Sequence, residues 1–156
     1  MTAEPRPGPE RKAHAIAVFE AHEADVWVAT ASAAGVAHMV PLSYAWDGER
    51  LIIAIDPTSV TARNLRESGR ARLGFGPTRD IVLVDATLDR VRETTATANA
   101  TPDDVGEVYA AQADWDPRRE IDAYAFFMLR PVRVQAWREA NELAGKTLMR
   151  DGAWLF

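Results

Sequence analysis

Cysteine is absent from this chain of 156 residues, so it can form no disulfide, thiolate metal site or cysteine nucleophile. Lysine is almost absent, because only Lys12 and Lys146 contribute to the 18 Lys and Arg residues. No apolar run approaches the roughly 20 residues that a membrane-spanning helix requires. The first residues, MTAEPRPGPERKA, lack the apolar segment of a signal peptide. We therefore expect a cytoplasmic, soluble protein that has no membrane as a partner.

The balance of charge is acidic, with a formal net charge of −5. A nucleic-acid partner is not expected, because binding to a phosphate backbone requires a basic face. Residues 61–80 differ from the rest, since five Arg against Glu67 and Asp80 give this segment a local charge of +3. Such a segment suits a small anionic ligand, and a solvated basic face explains it equally well.

Motifs for side-chain catalysis are missing. The sequence contains neither a G-x-S-x-G elbow nor an H-E-x-x-H metal motif. The three histidines, His14, His22 and His38, have no triad-like setting, and the carboxylates are scattered. The sequence therefore predicts no metal site, and it leaves the catalytic residues unknown.

Length and composition predict one domain over residues 10–156. It follows a flexible arm, residues 1–9, that contains three prolines. Residues 10–23 are expected to form a helix. Its predicted apolar face consists of Ala13, Ile16, Ala17 and Phe19. Residues 138–149 also favour a helix.

Most of the remaining chain has the pattern of strands joined by short turns. The predicted strands are residues 26–31, 36–46, 51–55, 70–75, 81–92 and 124–137. Strands and helices do not alternate regularly, so an antiparallel sheet that closes into a small barrel is favoured over a parallel one. Pro41 and Pro131 indicate bulges or unpaired edges within two of the strands.

The loop after the third strand is the best candidate for an anion site. Thr58 or Ser59 can cap a helix that ends at Gly69, and Thr61 and Arg63 add a hydroxyl and a positive charge. A helix N-terminus with an Arg suits a phosphate monoester. Spacing alone, however, favours a simple capped helix with a solvated Arg.

The run VWVATASAAGVAHMVPLSYAWDGERLIIAIDPTSVTARNLRESGRARLGFG resembles the pyridoxamine 5′-phosphate oxidase-like, flavin-binding split-barrel family. The resemblance extends more loosely over residues 24–137. It implies a mainly β (α+β) fold, a six-stranded antiparallel split β-barrel with peripheral helices. It also implies a homodimer with two cofactor sites at its interface, and FMN or the deazaflavin coenzyme F-420 as cofactor.

The resemblance also implies which residues bind the cofactor. A strand would lie along the ring of the cofactor, and the loop and helix start would hold its phosphate. The strand residues are His38, Val40, Pro41, Leu42 and Ser43, and the loop and helix residues are Asp56, Thr58, Ser59, Thr61, Arg63 and Asn64.

Two departures from the family pattern refine this expectation. Thr61 stands where many relatives have a Lys, so Arg63 and the helix dipole become the main anion stabilisers. The chain ends in RDGAWLF rather than an R-L-x-P-type motif, so oxidation of vitamin B6 is not expected. We expect an oxidoreductase that reduces a small organic substrate by hydride transfer. The alternative is a non-catalytic cofactor carrier or ligand sensor.

Overall fold

A computed structural model describes residues 3–93, 105–120 and 122–156 of the chain. These ranges contain three α-helices and nine strands. The helices are α1 (Gly8–Phe19), α2 (Val60–Ser68) and α3 (Val105–Ala113). The strands are β1 (Asp25–Ala31), β2 (Ala37–Ser43), β3 (Ala45–Trp46), β4 (Leu51–Ile55), β5 (Arg70–Phe75), β6 (Ile81–Glu93), β7 (Ala125–Trp137), β8 (Thr147–Arg150) and β9 (Ala153–Trp154). No helix in these ranges is long and apolar enough to cross a membrane.

The strands form one antiparallel sheet in the order β2-β1-β5-β6-β7-β4-β3, and the hairpin of β8 and β9 extends β7. Strands β2 and β3 are two halves of one predicted strand, separated at Tyr44. The first half pairs with β1 and the second with β4, so this stretch of chain joins the two ends of the sheet. The sheet therefore closes into the predicted split barrel.

Strand β4, whose sequence LIIAI is entirely apolar, is buried on both faces. Leu51, Ile53 and Ile55 belong to the main core inside the barrel. Ile52 and Ala54 belong to a second cluster, which contains α3. Burial on both sides fixes the position of β4 and of the loop that leads from it into α2.

The N-terminal segment is attached to the barrel. The backbone N–H of Arg6 and two of its guanidinium nitrogens donate to the carboxylate of Glu142, at 3.1, 2.8 and 2.8 Å. Helix α1 begins at Gly8 rather than Glu10, and it ends at Phe19 rather than at residue 23. Part of the segment expected to be a loose arm is thus held against the domain.

The predicted helix over residues 138–149 is wrong. The chain forms a short 3-10 turn at Ala140–Glu142 and then enters β8, which pairs with β7. This pairing buries Leu148 and Met149 against the barrel, which outweighs the intrinsic helix preference of the segment. The sequence TPDD at residues 101–104 predicts a helix start, with a Thr cap, a proline at the first position and two acidic residues, but these residues lie outside the described ranges.

Candidate functional site

The predicted ring-facing residues lie on β2, at one end of the strand order. His38, Val40 and Leu42 are half-buried and stand opposite inward-facing residues of β1. Pro41 has the opposite orientation, is exposed, and pairs with Trp27. Proline is tolerated because β2 has a neighbouring strand on only one side, as expected for an edge. This edge leaves backbone groups of β2 available to a ligand.

Ser43 ends β2 and already has partners for its polar groups. Its hydroxyl donates to Asp25 at 3.3 Å, and its carbonyl accepts a hydrogen bond from the hydroxyl of Tyr109 at 3.4 Å. Tyr109 is fully buried on α3, and this burial raises the pKa of its phenol. The hydroxyl therefore remains protonated and anchors α3 to the end of the predicted ring-facing strand.

The predicted phosphate loop does form the start of α2. Ser59 is the N-cap residue, and its Oγ accepts a hydrogen bond from the backbone N–H of Ala62 at 3.2 Å. Among the described residues, no acceptor is found for the backbone N–H groups of Val60 and Thr61. These two N–H groups, together with the hydroxyl hydrogen of Ser59, remain available to an anion.

Asp56 and Thr58 form a closed unit at the same place. The backbone N–H and the hydroxyl of Thr58 both donate to Oδ1 of Asp56, at 2.8 and 2.7 Å. These bonds, the backbone one first, lower the pKa of the Asp56 carboxyl. Asp56 is thus an ionised, exposed carboxylate near the helix start, and the hydroxyl hydrogen of Thr58 is occupied.

Thr61 and Asn64 face inward, so the structure separates them from Arg63. Thr61 is 3% exposed and Asn64 is completely buried. Arg63 is exposed on the other side of α2 and makes no ion pair with any residue of the described ranges. An approaching anion would therefore meet the side chain of Arg63 and the backbone N–H of Thr61, whose side chain is almost completely buried.

A residue that the sequence did not single out connects the two halves of the predicted site. Nδ2 of Asn64 donates to Oγ1 of Thr30 at 3.1 Å, and Thr30 stands opposite His38 in the pairing of β1 with β2. The signal in the sequence was a hydroxyl at an inward position of an otherwise apolar alternation with Val26 and Val28. Oδ1 of Asn64 is buried and has no hydrogen-bond partner in the described part of the chain.

A groove of about 740 Å³ lies elsewhere, near the C-terminal end of α2. It is bordered by Ser68 and by the strands β1, β5, β6 and β7, and none of the predicted cofactor residues lines it. The predicted site is instead a half-open surface between β2 and the start of α2. Across the described ranges, no group of three or more His, Asp or Glu residues is placed to hold a metal ion.

Comparisons with known proteins identify the fold. The family model described as pyridoxamine 5′-phosphate oxidase matches residues 13–138. Comparison with curated protein sequences gave no match.

Solved structures with very different descriptions resemble the chain. An F-420 reductase is 15% identical with a TM-score of 0.60, and the match covers 76% of this chain and 93% of the other. General stress protein 26 of Bacillus anthracis is 13% identical with a TM-score of 0.59, covering 81% and 92%. A heme binding protein of Mycobacterium smegmatis is 19% identical with a TM-score of 0.60, covering 91% and 57%.

At identities this low, structural similarity establishes the fold and not the function. The three proteins have different descriptions, as expected when one fold serves several functions. The match of the family model over residues 13–138, together with the split barrel, decides the family. The chain belongs to the pyridoxamine 5′-phosphate oxidase family.

Proposed function

We propose that this protein binds FMN or the deazaflavin coenzyme F-420 and reduces a small organic substrate by hydride transfer. The observation that carries the proposal is the open start of α2. There, two N–H groups without acceptors and the hydroxyl of Ser59 lie at the helix start, and Arg63 carries an exposed positive charge on the same helix. Family membership and the similarity to an F-420 reductase support a flavin-type cofactor.

The groups at the start of α2 fit a phosphate monoester. Three uncharged donors, from Ser59, Val60 and Thr61, would complement its oxygens, and the N-terminal end of the helix dipole favours negative charge. Arg63 would add the one side-chain charge. Asp56 acts in the opposite direction, because its ionised carboxylate repels an anion. The site therefore fits a phosphate with modest affinity.

The ring and the sugar-like chain of the cofactor would meet different groups. Backbone groups along the free edge of β2, from His38 to Ser43, suit the polar edge of a planar ring. The unpartnered Oδ1 of Asn64 is an acceptor, so it suits a ribityl hydroxyl and not a phosphate oxygen. We therefore assign Asn64 to the hydroxyl chain rather than to the phosphate.

A bound flavin or deazaflavin would itself supply the hydride chemistry. The role of the protein would be to bind the phosphate at α2, to orient the ring along β2 and to exclude water from the reacting face. Because the cofactor would supply the chemistry, the protein would need no dedicated acid or base. The sequence, accordingly, contains no recognisable motif for side-chain catalysis. The substrate would be small and planar enough to stack on the ring.

We also propose that the protein is a homodimer, as the family resemblance implies. Trp27 and Met39 lie on the outer face of β1 and β2 and are 51% and 59% exposed. Pro41 pairs with Trp27, and Ala29 pairs with Met39, so the four residues form a continuous apolar patch. Exposed apolar patches of this kind are typical of protein interfaces. A partner seated there would enclose the half-open cofactor site.

The decisive experiment is a titration of the purified protein with FMN and, separately, with coenzyme F-420, followed by absorbance and fluorescence. We expect saturable quenching or a spectral shift with one of them. Arg63→Ala should weaken that binding by about ten-fold through the loss of one charge-assisted contact. Arg90→Ala, which changes another exposed arginine, on β6, is the matched control and should leave the affinity unchanged.

Absence of a spectral response to both cofactors would refute the proposal, and an unaltered affinity in Arg63→Ala would move the phosphate elsewhere. Turnover separates an enzyme from the alternative of a cofactor carrier or ligand sensor. An oxidoreductase should reoxidise its bound, reduced cofactor faster when a suitable organic acceptor is added. A carrier would show the same slow reoxidation with every acceptor.

A further inference from the structure

The groove at the C-terminal end of α2 arises from the way two strands separate. The pairing of β1 with β5 ends at Ala29 and Arg72, although β1 continues to Ala31 and β5 begins earlier, at Arg70. The gap between these continuing strands opens the groove on the outer face of the sheet. Its volume, about 740 Å³, is in the range typical of small-molecule sites.

Two arginines stand on the same wall of this groove. Arg70 and Arg72 alternate with buried Ala71 on β5, so their side chains leave the same face of the sheet. Nε of Arg72 donates to Asp85 at 2.6 Å, which fixes the guanidinium. The terminal nitrogens of Arg72 make no hydrogen bond within the described residues, and Arg70 makes no ion pair there. Two sets of charged donors are therefore free.

The rest of the lining is small and largely apolar. The apolar lining residues are Ala29, Ala31, Ala71, Ala86 and Val132, and the residues with hydroxyl groups are Thr30, Ser32, Ser68 and Thr87. Asp85 is the one carboxylate among the lining residues, and it is already paired with Arg72. The net charge of the lining is +1, from two Arg and one Asp. A ligand that fits both parts has an anionic head and a compact apolar body.

We propose that this groove binds a small organic anion, with a carboxylate or phosphate held between Arg70 and Arg72 and an apolar body over Ala29 and Ala31. The groove adjoins the opposite end of α2 and contains none of the predicted cofactor residues, although its lining includes Thr30, which accepts the hydrogen bond from Asn64, and Ala29, which also borders the proposed dimer patch. Asp85 acts here as a positioning residue that holds Arg72. The proposal does not depend on the binding of a flavin.

The test uses amide correlation spectra of the isotope-labelled, full-length protein without added cofactor. The probes are benzoate for a carboxylate head, phenyl phosphate for a phosphate head, and benzyl alcohol as the neutral analogue. We expect at least one anion to shift the amides of residues 29–32 and 70–72 saturably, with half-saturation at about 1 mM or below. Benzyl alcohol should not do so. The stronger of the two anions identifies the head group.

Variants connect the effect to the arginines. Arg70→Gln and Arg72→Gln should each raise the half-saturation concentration about ten-fold, while Arg90→Gln, outside the groove, should leave it unchanged. The proposal is overturned if the anions shift these amides no more than benzyl alcohol does, or if Arg70→Gln and Arg90→Gln behave alike. Shifts confined to residues 59–63 would overturn it too. The proposal is also overturned if the shifts of the groove amides depend on the concentration of the protein and not on that of the probe. The groove would then be a contact between copies of the chain.

Discussion

The buried amide of Asn64 allows a test of how the site is built. Its Oδ1 has no partner in the described residues, and its Nδ2 donates to Thr30, whose side chain is also buried. An unsatisfied buried acceptor costs about 1–3 kcal/mol. Replacing both members of the pair by apolar residues of similar shape, in Thr30→Val/Asn64→Leu, removes that cost. The same change removes one hydrogen bond worth about 0.5–1.5 kcal/mol.

The balance of these two effects predicts that the free energy of unfolding of the double variant lies between about 0.5 kcal/mol below and about 2.5 kcal/mol above that of the wild type. Asn64→Leu alone should be less stable than the double variant, because it leaves the hydroxyl of Thr30 buried without its donor. Urea denaturation at neutral pH without cofactor measures both differences. Destabilisation of the double variant by more than about 1 kcal/mol would refute the reasoning, since Oδ1 would then be satisfied in solution.

The remaining predictions concern the N-terminal attachment and the interface. The side-chain hydrogen bonds from Arg6 lower the pKa of buried Glu142 from its ordinary 4.5 to about 2. The ionised carboxylate therefore stabilises the fold fully above about pH 4.5, and this stabilisation is lost as the pH falls towards 2. Glu142→Gln should lower the free energy of unfolding by up to about 3 kcal/mol at pH 7 and make it depend less on pH below about 4.5. The control Glu139→Gln, which removes a carboxylate from an exposed ion pair, should change the free energy of unfolding by less than about 1 kcal/mol. In sedimentation at micromolar concentration, Trp27→Lys should be monomeric while the control Leu143→Lys, exposed on a different surface, stays dimeric. A wild-type monomer under these conditions would contradict the interface-built pocket.

The sequence predicted the barrel well because its strands are encoded locally. Pro41 indicated an edge, and β2 is the edge strand. Pro131 indicated a bulge, and the pairing of β6 with β7 shifts register there. Gly69 has the positive φ of +67° expected of a helix end. These signals depend on the geometry of single residues and so survive in any tertiary context.

Features that depend on distant partners could not be predicted in the same way. The buried residues of α1 are Gly8, Arg11, Ala15 and Phe19, whereas the predicted face included Ala13 and Ala17. Arg11 can be buried because its guanidinium donates to backbone carbonyls more than 100 residues away in sequence. Helical periodicity treats Arg as solvent-facing and carries no information about such acceptors.

The candidate site shows the same limit. The sequence placed Thr58, Thr61 and Arg63 together as groups that meet one phosphate. In the structure, Thr58 is bonded to Asp56, Thr61 faces the core, and Arg63 faces solvent. Spacing along a helix fixes which residues share a face, but the face that packs against the barrel is chosen by tertiary contacts.

Many relatives have a lysine at the position of Thr61, and the burial of Thr61 shows what its replacement by threonine does to the site. A lysine at this position would have its stem against the barrel and would have to extend out of the core to bring its charge to the helix start. Threonine keeps the backbone N–H and packs against the barrel without that extension. The local fold is therefore preserved, but a bound anion would lack the nearby positive charge that a lysine would provide. The remaining charge, Arg63, is exposed and therefore screened by solvent and salt. The contacts of a phosphate with this helix would therefore contribute less to cofactor affinity than the contacts of the ring with β2 and with a partner subunit. Cofactor binding should consequently depend strongly on dimerisation.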